Sequence, residues 1–500
     1  MRPFCFAMAT AGMLVSSMAC AQSSLRIGLQ DDPDTLDPVR SRTFVGRIVL
    51  ASLCNKLVEI TPDLKIVPQL AQSWAWSGEN KTLTFKLRGD ALFHDGTPVT
   101  AAAVKANLDR ARTLPDSNRK SELATVASVQ APNANTVVLQ LSEPDASLLS
   151  QLSDRAGMML SPATFAKDPG SRPVCSGPYQ FKERVQNDRI VLEKFSKHWD
   201  AANYHFARLI FTPIPDATVR LSNLRAGDLD IIERVAPMDT KTVRDDKSLN
   251  LLPVTGLGFQ AISVNLGNGA GANNPLAKDK RVRQALDLAI DREAINQIVG
   301  EGMLQPAHQP FPPESFAYNK AFEHTGRDPK KARALLKEAG FDRVKLEITY
   351  GNNTTMQQVC ELIQAMGAEA GFDISLRPAE FASLQSALAR GDFVVGQSGW
   401  SGRVDPSGNV HQYVSCKGSL NDGRFCNADV DAALNSARAE PDEAKRRALY
   451  DKVLATLQAE RPIIYLFYQP WIFGVQKKLT GFVPHPDGMI RLRAVSFTKK

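Results

Sequence analysis

Apolar and polar side chains alternate from residue 82 to 88, with Leu83, Phe85 and Leu87 set between Thr82, Thr84, Lys86 and Arg88. A period of two sends the two sets to opposite faces, so the spacing predicts a half-buried strand. Asp95-Gly96-Thr97-Pro98 supplies turn chemistry next, and Thr100 can cap a helix carrying Ala103, Val104, Ala106 and Leu108. The same reading predicts strands at 25–29, 136–141, 190–193, 209–211, 229–232, 346–350 and 462–467. Helices are expected at 44–57, 219–227, 356–370 and 443–460, with glycine ending the second. Asp328-Pro329 opens a further helix with a cap and an N1 proline, and Gly340 closes it. Strands that alternate with helices argue for an α/β architecture.

Five hundred residues exceed what one hydrophobic core organises, so two or three subdomains are expected. The first twenty-one stand apart. Arg2 gives a positive start, 4–15 is an apolar run too short to span a membrane, and Ala19-Cys20-Ala21 fits a signal-peptidase site. Residues 1–21 therefore read as a signal peptide cleaved after Ala21. Lipidation of Cys20 is the alternative, against which Ser17-Met18-Ala19 lacks the usual leucine. The mature chain is expected to be soluble and periplasmic. Its net charge of +7 is spread without a long basic run, which reads as a solvated surface and not a nucleic-acid interface. Export makes disulfides possible. Cys54, Cys175, Cys360, Cys416 and Cys426 remain, an odd number that leaves one thiol over. Cys416 and Cys426 flank a loop that a bridge could staple, Cys54 with Cys175 is the second pairing considered, and Cys360 sits in a predicted helix as a buried thiol.

Between residues 71 and 110 the run Ala-Gln-Ser-Trp-Ala-Trp-Ser…Leu-Thr-Phe-Lys-Leu-Arg…Leu-Phe-His-Asp-Gly-Thr-Pro-Val-Thr-Ala…Val resembles solute-binding protein family 5, the extracytoplasmic peptide- and nickel-binding receptors of ABC importers. Gly177-Pro178-Tyr179, Arg281-Val282-Arg283-Gln284-Ala285, Ile290-Asp291-Arg292 and the helix 334–340 match the family further along. The resemblance covers nearly the whole mature chain. It implies a two-lobed periplasmic binding protein of type II, peptide-binding-like, with a discontinuous first lobe. Lobe I would span 22–257, with 65–173 as an extra subdomain, lobe II 258–470, and 471–500 would return to lobe I. Hinge strands near 255–265 and 462–472 would let the lobes close. Dipeptide-binding members carry a local bridge like Cys416–Cys426.

A closing cleft must replace the solute's water with fixed polar partners. Ser398-Gly399-Trp400-Ser401-Gly402-Arg403-Val404-Asp405-Pro406 is the leading candidate. Trp400 offers a flat wall, Arg403 can grip a carboxylate with two parallel bonds, and Asp405 can neutralise an ammonium. The segment resembles one in the dipeptide binders, whose aspartate holds the peptide's amino group. Arg403 and Val404 interrupt the acidic run found there, which makes a more anionic ligand plausible. Arg42, Thr43 and Asn352 are further candidates, with Asn353, Tyr468 and Trp471 beside them. No cofactor or metal is expected. The partners implied are a small or peptide ligand and an inner-membrane permease, with the receptor a monomer. An exported peptide hydrolase is one alternative, but no Gly-x-Ser-x-Gly or His-Glu-x-x-His appears. A receptor for a metal or metal chelate is the other, with isolated histidines such as His411 and His485.

Overall fold

A computed structural model describes residues 24–323 and 326–498. The expected signal peptide and Cys20 lie outside the described residues. Two large sheets dominate. The first has seven strands in the order Leu249–Val254, Trp471–Gln476, Ile231–Ile232, Ser24–Leu29, Arg208–Pro213, Arg189–Lys194, Tyr179–Val185. Leu25 and Ile27 lie parallel to Leu209 and Phe211, all fully buried, so the alternation read from sequence sets the register. The second has six strands in the order Gln305–Pro306, Ile463–Tyr468, Phe259–Val264, Val395–Trp400, Val344–Gly351, Phe372–Ala379.

The alternating segment forms the strand Thr82–Leu87 within a separate four-stranded antiparallel sheet. Leu83 pairs with Leu139 and Phe85 with Val137 on the buried face, against Val104 and Leu108 of the helix Ala101–Thr113. Thr100 caps that helix through Ala103 N. Two expectations are shortened. The first helix is Phe44–Leu53 and ends at Cys54, which is bonded to Cys175. The strand expected at 229–232 is Ile231–Ile232 only, because the buried Asp230 carboxylate takes Arg26 N and its guanidinium, while Leu229 packs into a neighbouring cluster.

The chain crosses between the large sheets at 255–258, leaving the edge strand Leu249–Val254 for Phe259–Val264. It crosses back at Gln469-Pro470, from Ile463–Tyr468 into Trp471–Gln476. Gln260 Nε2 donates to Gln469 Oε1 at 2.9 Å, tying the crossings together. A Cβ on Gly256 would lie 2.1 Å from the Gln469 carbonyl oxygen, so only glycine permits this approach.

Candidate ligand-binding cleft

The lobes enclose a cleft of about 1310 Å³, counting its solvent-filled mouth. Sequence-distant pieces line it. From the first lobe come Gln30, just past a strand end, Arg42 and Phe44 at a helix start, Arg155 and Arg234. From the second come Gln260, Gln397 and Trp400 on strands, with Asn353, Thr355 and Met356 where the helix Thr354–Ala370 begins. Asn353 caps that helix by accepting from Met356 N, and its N-terminal dipole faces the cleft.

Three guanidiniums and one carboxylate line this space. Arg42 Nη2 bonds both oxygens of Asp422 at 2.8 and 3.1 Å, joining the lobes across the opening. Burial raises the Asp422 carboxyl, against the pull of Arg42. Arg155 Nη1 donates to the Ser41 carbonyl at 2.7 Å, while its Nε is buried with no hydrogen-bond partner. Burial, with the neighbouring Arg119, pushes this guanidinium well down from its ordinary value, so an anion brought against it would favour its charged form. Arg234 lies over the Phe44 ring at 4.7 Å and the Trp471 ring at 5.2 Å, and those rings stack 4.3 Å apart. Burial pushes the adjacent Asp31 carboxyl up to about 6, with Arg234 opposing and Glu233 reinforcing.

The candidates read from sequence divide. Trp400 and Arg42 line the cleft. Trp400 Nε1 donates to Asn409 Oδ1 at 2.9 Å, which fixes its plane. Thr43 is instead the cap of the helix Phe44–Leu53, its hydroxyl accepting from Gly46 N. Asn352 is exposed, and Asn353 is the lining residue of the pair. Tyr468 is buried with its hydroxyl on the Gln309 and Phe311 carbonyls. Arg403 and Asp405 are not among the lining residues. Gly402 turns the chain with φ 85°, and Arg403 reaches Asp154 of the facing lobe at 2.8 Å. Asp405 binds Arg446 through both oxygens at 2.7 and 3.0 Å. Each charge is thus matched inside the protein. Cys416 is bonded to Cys426, bracketing the loop that carries Leu420 and Asp422 into the cleft, and Cys360 is a buried free thiol. Sequence reading missed Arg155 and Arg234. Each sits beside an acid, Asp154 and Glu233, so the local charge cancels on paper and nothing marks which partner turns to the cleft.

Comparison with known proteins decides what this cleft belongs to. The signature of the bacterial extracellular solute-binding proteins, family 5 (Middle), matches residues 65–421. The chain belongs to this family. It is a solute-binding receptor of the kind that serves ABC importers. The glutathione-binding protein GsiB of Pectobacterium atrosepticum is 28% identical over 98% of this chain and 97% of its own. The binding protein AgaA of A. tumefaciens R10, solved with agropinic acid, is 27% identical with a TM-score of 0.87, covering 95% of this chain and 99% of its own. The murein tripeptide binding protein MppA of Escherichia coli superposes with a TM-score of 0.89 at 24% identity, over 96% of this chain and 99% of its own, and supports the two-lobed fold. Among the described residues no helix is long and apolar enough to cross a membrane.

Proposed function

We propose that this receptor captures a small, peptide-like solute carrying one or more carboxylates and delivers it, enclosed between the lobes, to an inner-membrane permease. The observation that carries this reading is the lining of the cleft, where Arg42, Arg155 and Arg234 face a single carboxylate, Asp422. A solute with acidic groups at both ends meets guanidiniums, a helix N-terminus and several neutral amides. The stacked rings of Phe44 and Trp471, with Trp400, give its apolar parts a surface. Asp422, steadied by Arg42, is the group available to a solute ammonium. Glutathione and agropinic acid, named for two relatives, are both carboxylic acids. The working form is placed in the periplasm after cleavage behind Ala21. A monomer is the expected form, since one chain carries both lobes.

Calorimetric titration with glutathione and with its dimethyl ester tests the reading. The acid is expected to bind and the ester to bind much more weakly. Arg155→Gln should cost the acid about 2 kcal/mol, the size of a hydrogen bond to a charged group, and leave the ester unaffected. An ester that binds as tightly as the acid would refute the assignment.

A further inference from the structure

Asp154 and Arg403 come from opposite lobes and meet in the seam beside the cleft. Asp154 follows the helix Leu148–Leu152, and its Oδ1 accepts from Arg47 Nε at 3.0 Å and from Arg155 N at 2.6 Å. Arg403 follows the strand Val395–Trp400 and brings its Nε to 2.8 Å from Asp154 Oδ2. The two side chains are 3% and 4% exposed. Arg47 Nη1 also crosses the seam, donating to Ser401 Oγ at 2.7 Å.

Arg403 is fixed within its own lobe as well. Its backbone N donates to Asn409 Oδ1 at 2.6 Å, and Asn409 Nδ2 donates back to the Arg403 carbonyl at 2.9 Å. Its guanidinium stacks 4.1 Å from the centre of the Trp400 ring, and Trp400 shares the same Asn409 oxygen. The aromatic wall of the cleft and the cationic half of the interlobe pair therefore form one rigid unit. Glu122 and Arg119, a buried pair from the first lobe, and Arg155 also contribute to the field around these groups.

We propose that Asp154 and Arg403 form an interlobe lock that favours the closed form, with Arg403 acting as a positioning residue for Trp400 and not as a contact to the solute. The proposal rests on the reading of the cleft as the solute site. Rotation about 255–258 and 469–470 would separate the pair and let water solvate each charge. In the closed form Arg403 without Asp154 has no other ion-pair partner among the described residues, whereas Asp154 without Arg403 keeps Arg47 of its own lobe at 2.5 Å and loses the contact across the seam, so the penalty on the closed form is larger when Asp154 is removed.

Spin labels on Lys120→Cys and Ala444→Cys, exposed positions on opposite lobes, report the interlobe distance by pulsed dipolar spectroscopy without any solute. The otherwise unsubstituted protein is expected to show a short-distance population. Asp154→Asn should shift the closed-to-open ratio about thirtyfold or more towards open, the lower end for truncating a buried charge pair, and Arg403→Gln, which leaves Asp154 paired with Arg47, should shift it the same way by a smaller factor. Asp154→Asn combined with Arg403→Gln should shift it no further than the worse single change. Asp154 also braces Arg47, so if Asp154→Asn fails to fold, Arg403→Gln alone decides. Identical distance distributions in Arg403→Gln and its parent overturn the lock, as does a parent without the short population. Because no solute is added, an error in the assigned ligand class would leave this result intact.

Discussion

Asp31 shows how one buried carboxyl can tune the cleft. Its folded value of about 6 lies above the unfolded carboxyl range near 3.8. Between those values the folded state binds the extra proton, so Asp31 makes the protein less stable as pH rises through that window. The same ionisation sets a negative charge beside Arg234, 4.0 Å away. Glutathione affinity is therefore expected to be roughly fivefold higher at pH 5 than at pH 7.5, about 1 kcal/mol, and Asp31→Asn should flatten the dependence in calorimetric titrations at the two values. A profile that Asp31→Asn leaves unchanged would clear Asp31 of the effect. Asp405 marks the opposite case, a charge used for stability. Asp405→Asn strands the buried Arg446 and should destabilise the fold by about 3 kcal/mol in chemical denaturation, with glutathione affinity little changed. These roles were hidden in the sequence because a residue's own type and neighbours do not say which distant partner it meets. Arg403 and Arg155 differ only in what chain folding puts opposite them.

Elements were more legible than sites. Strand alternation at 82–87, the caps Thr100 and Asp328, and the glycine end at Gly227 depend on neighbours within a few residues, which sequence displays directly. The crossings between lobes were readable as positions but not as geometry. Their constraint comes from contact with remote backbone. A Cβ on Gly258 would sit 1.7 Å from the Trp400 carbonyl oxygen, where Phe259 pairs with Trp400 across the sheet. Gly258→Ala should therefore force the strands apart at the hinge and cost about 2–3 kcal/mol in denaturant titrations. An unchanged denaturation midpoint would show that the hinge backbone yields freely. The cleft loops carry no periodic pattern, and their lining was legible only in part, at Arg42, at Trp400 with its neighbours Ser398, Gly399 and Ser401, and at Asn353 and Trp471.

At the scale of the whole molecule, two α/β lobes joined by two adjacent crossings make a clamp whose walls are assembled from remote segments of one chain. The chain carries a net positive charge of +7, and the cleft lining holds three guanidiniums against the single carboxylate of Asp422. That imbalance is the physical basis for an acidic solute. Native mass spectrometry of the receptor, expressed in bacteria from the full sequence and purified without refolding, tests this most directly when known acids, esters and amines are offered in equimolar competition. The expected spectrum retains a solute bearing at least one carboxylate, lost on Arg155→Gln. Selective retention of a cationic or carboxylate-free solute would contradict the account.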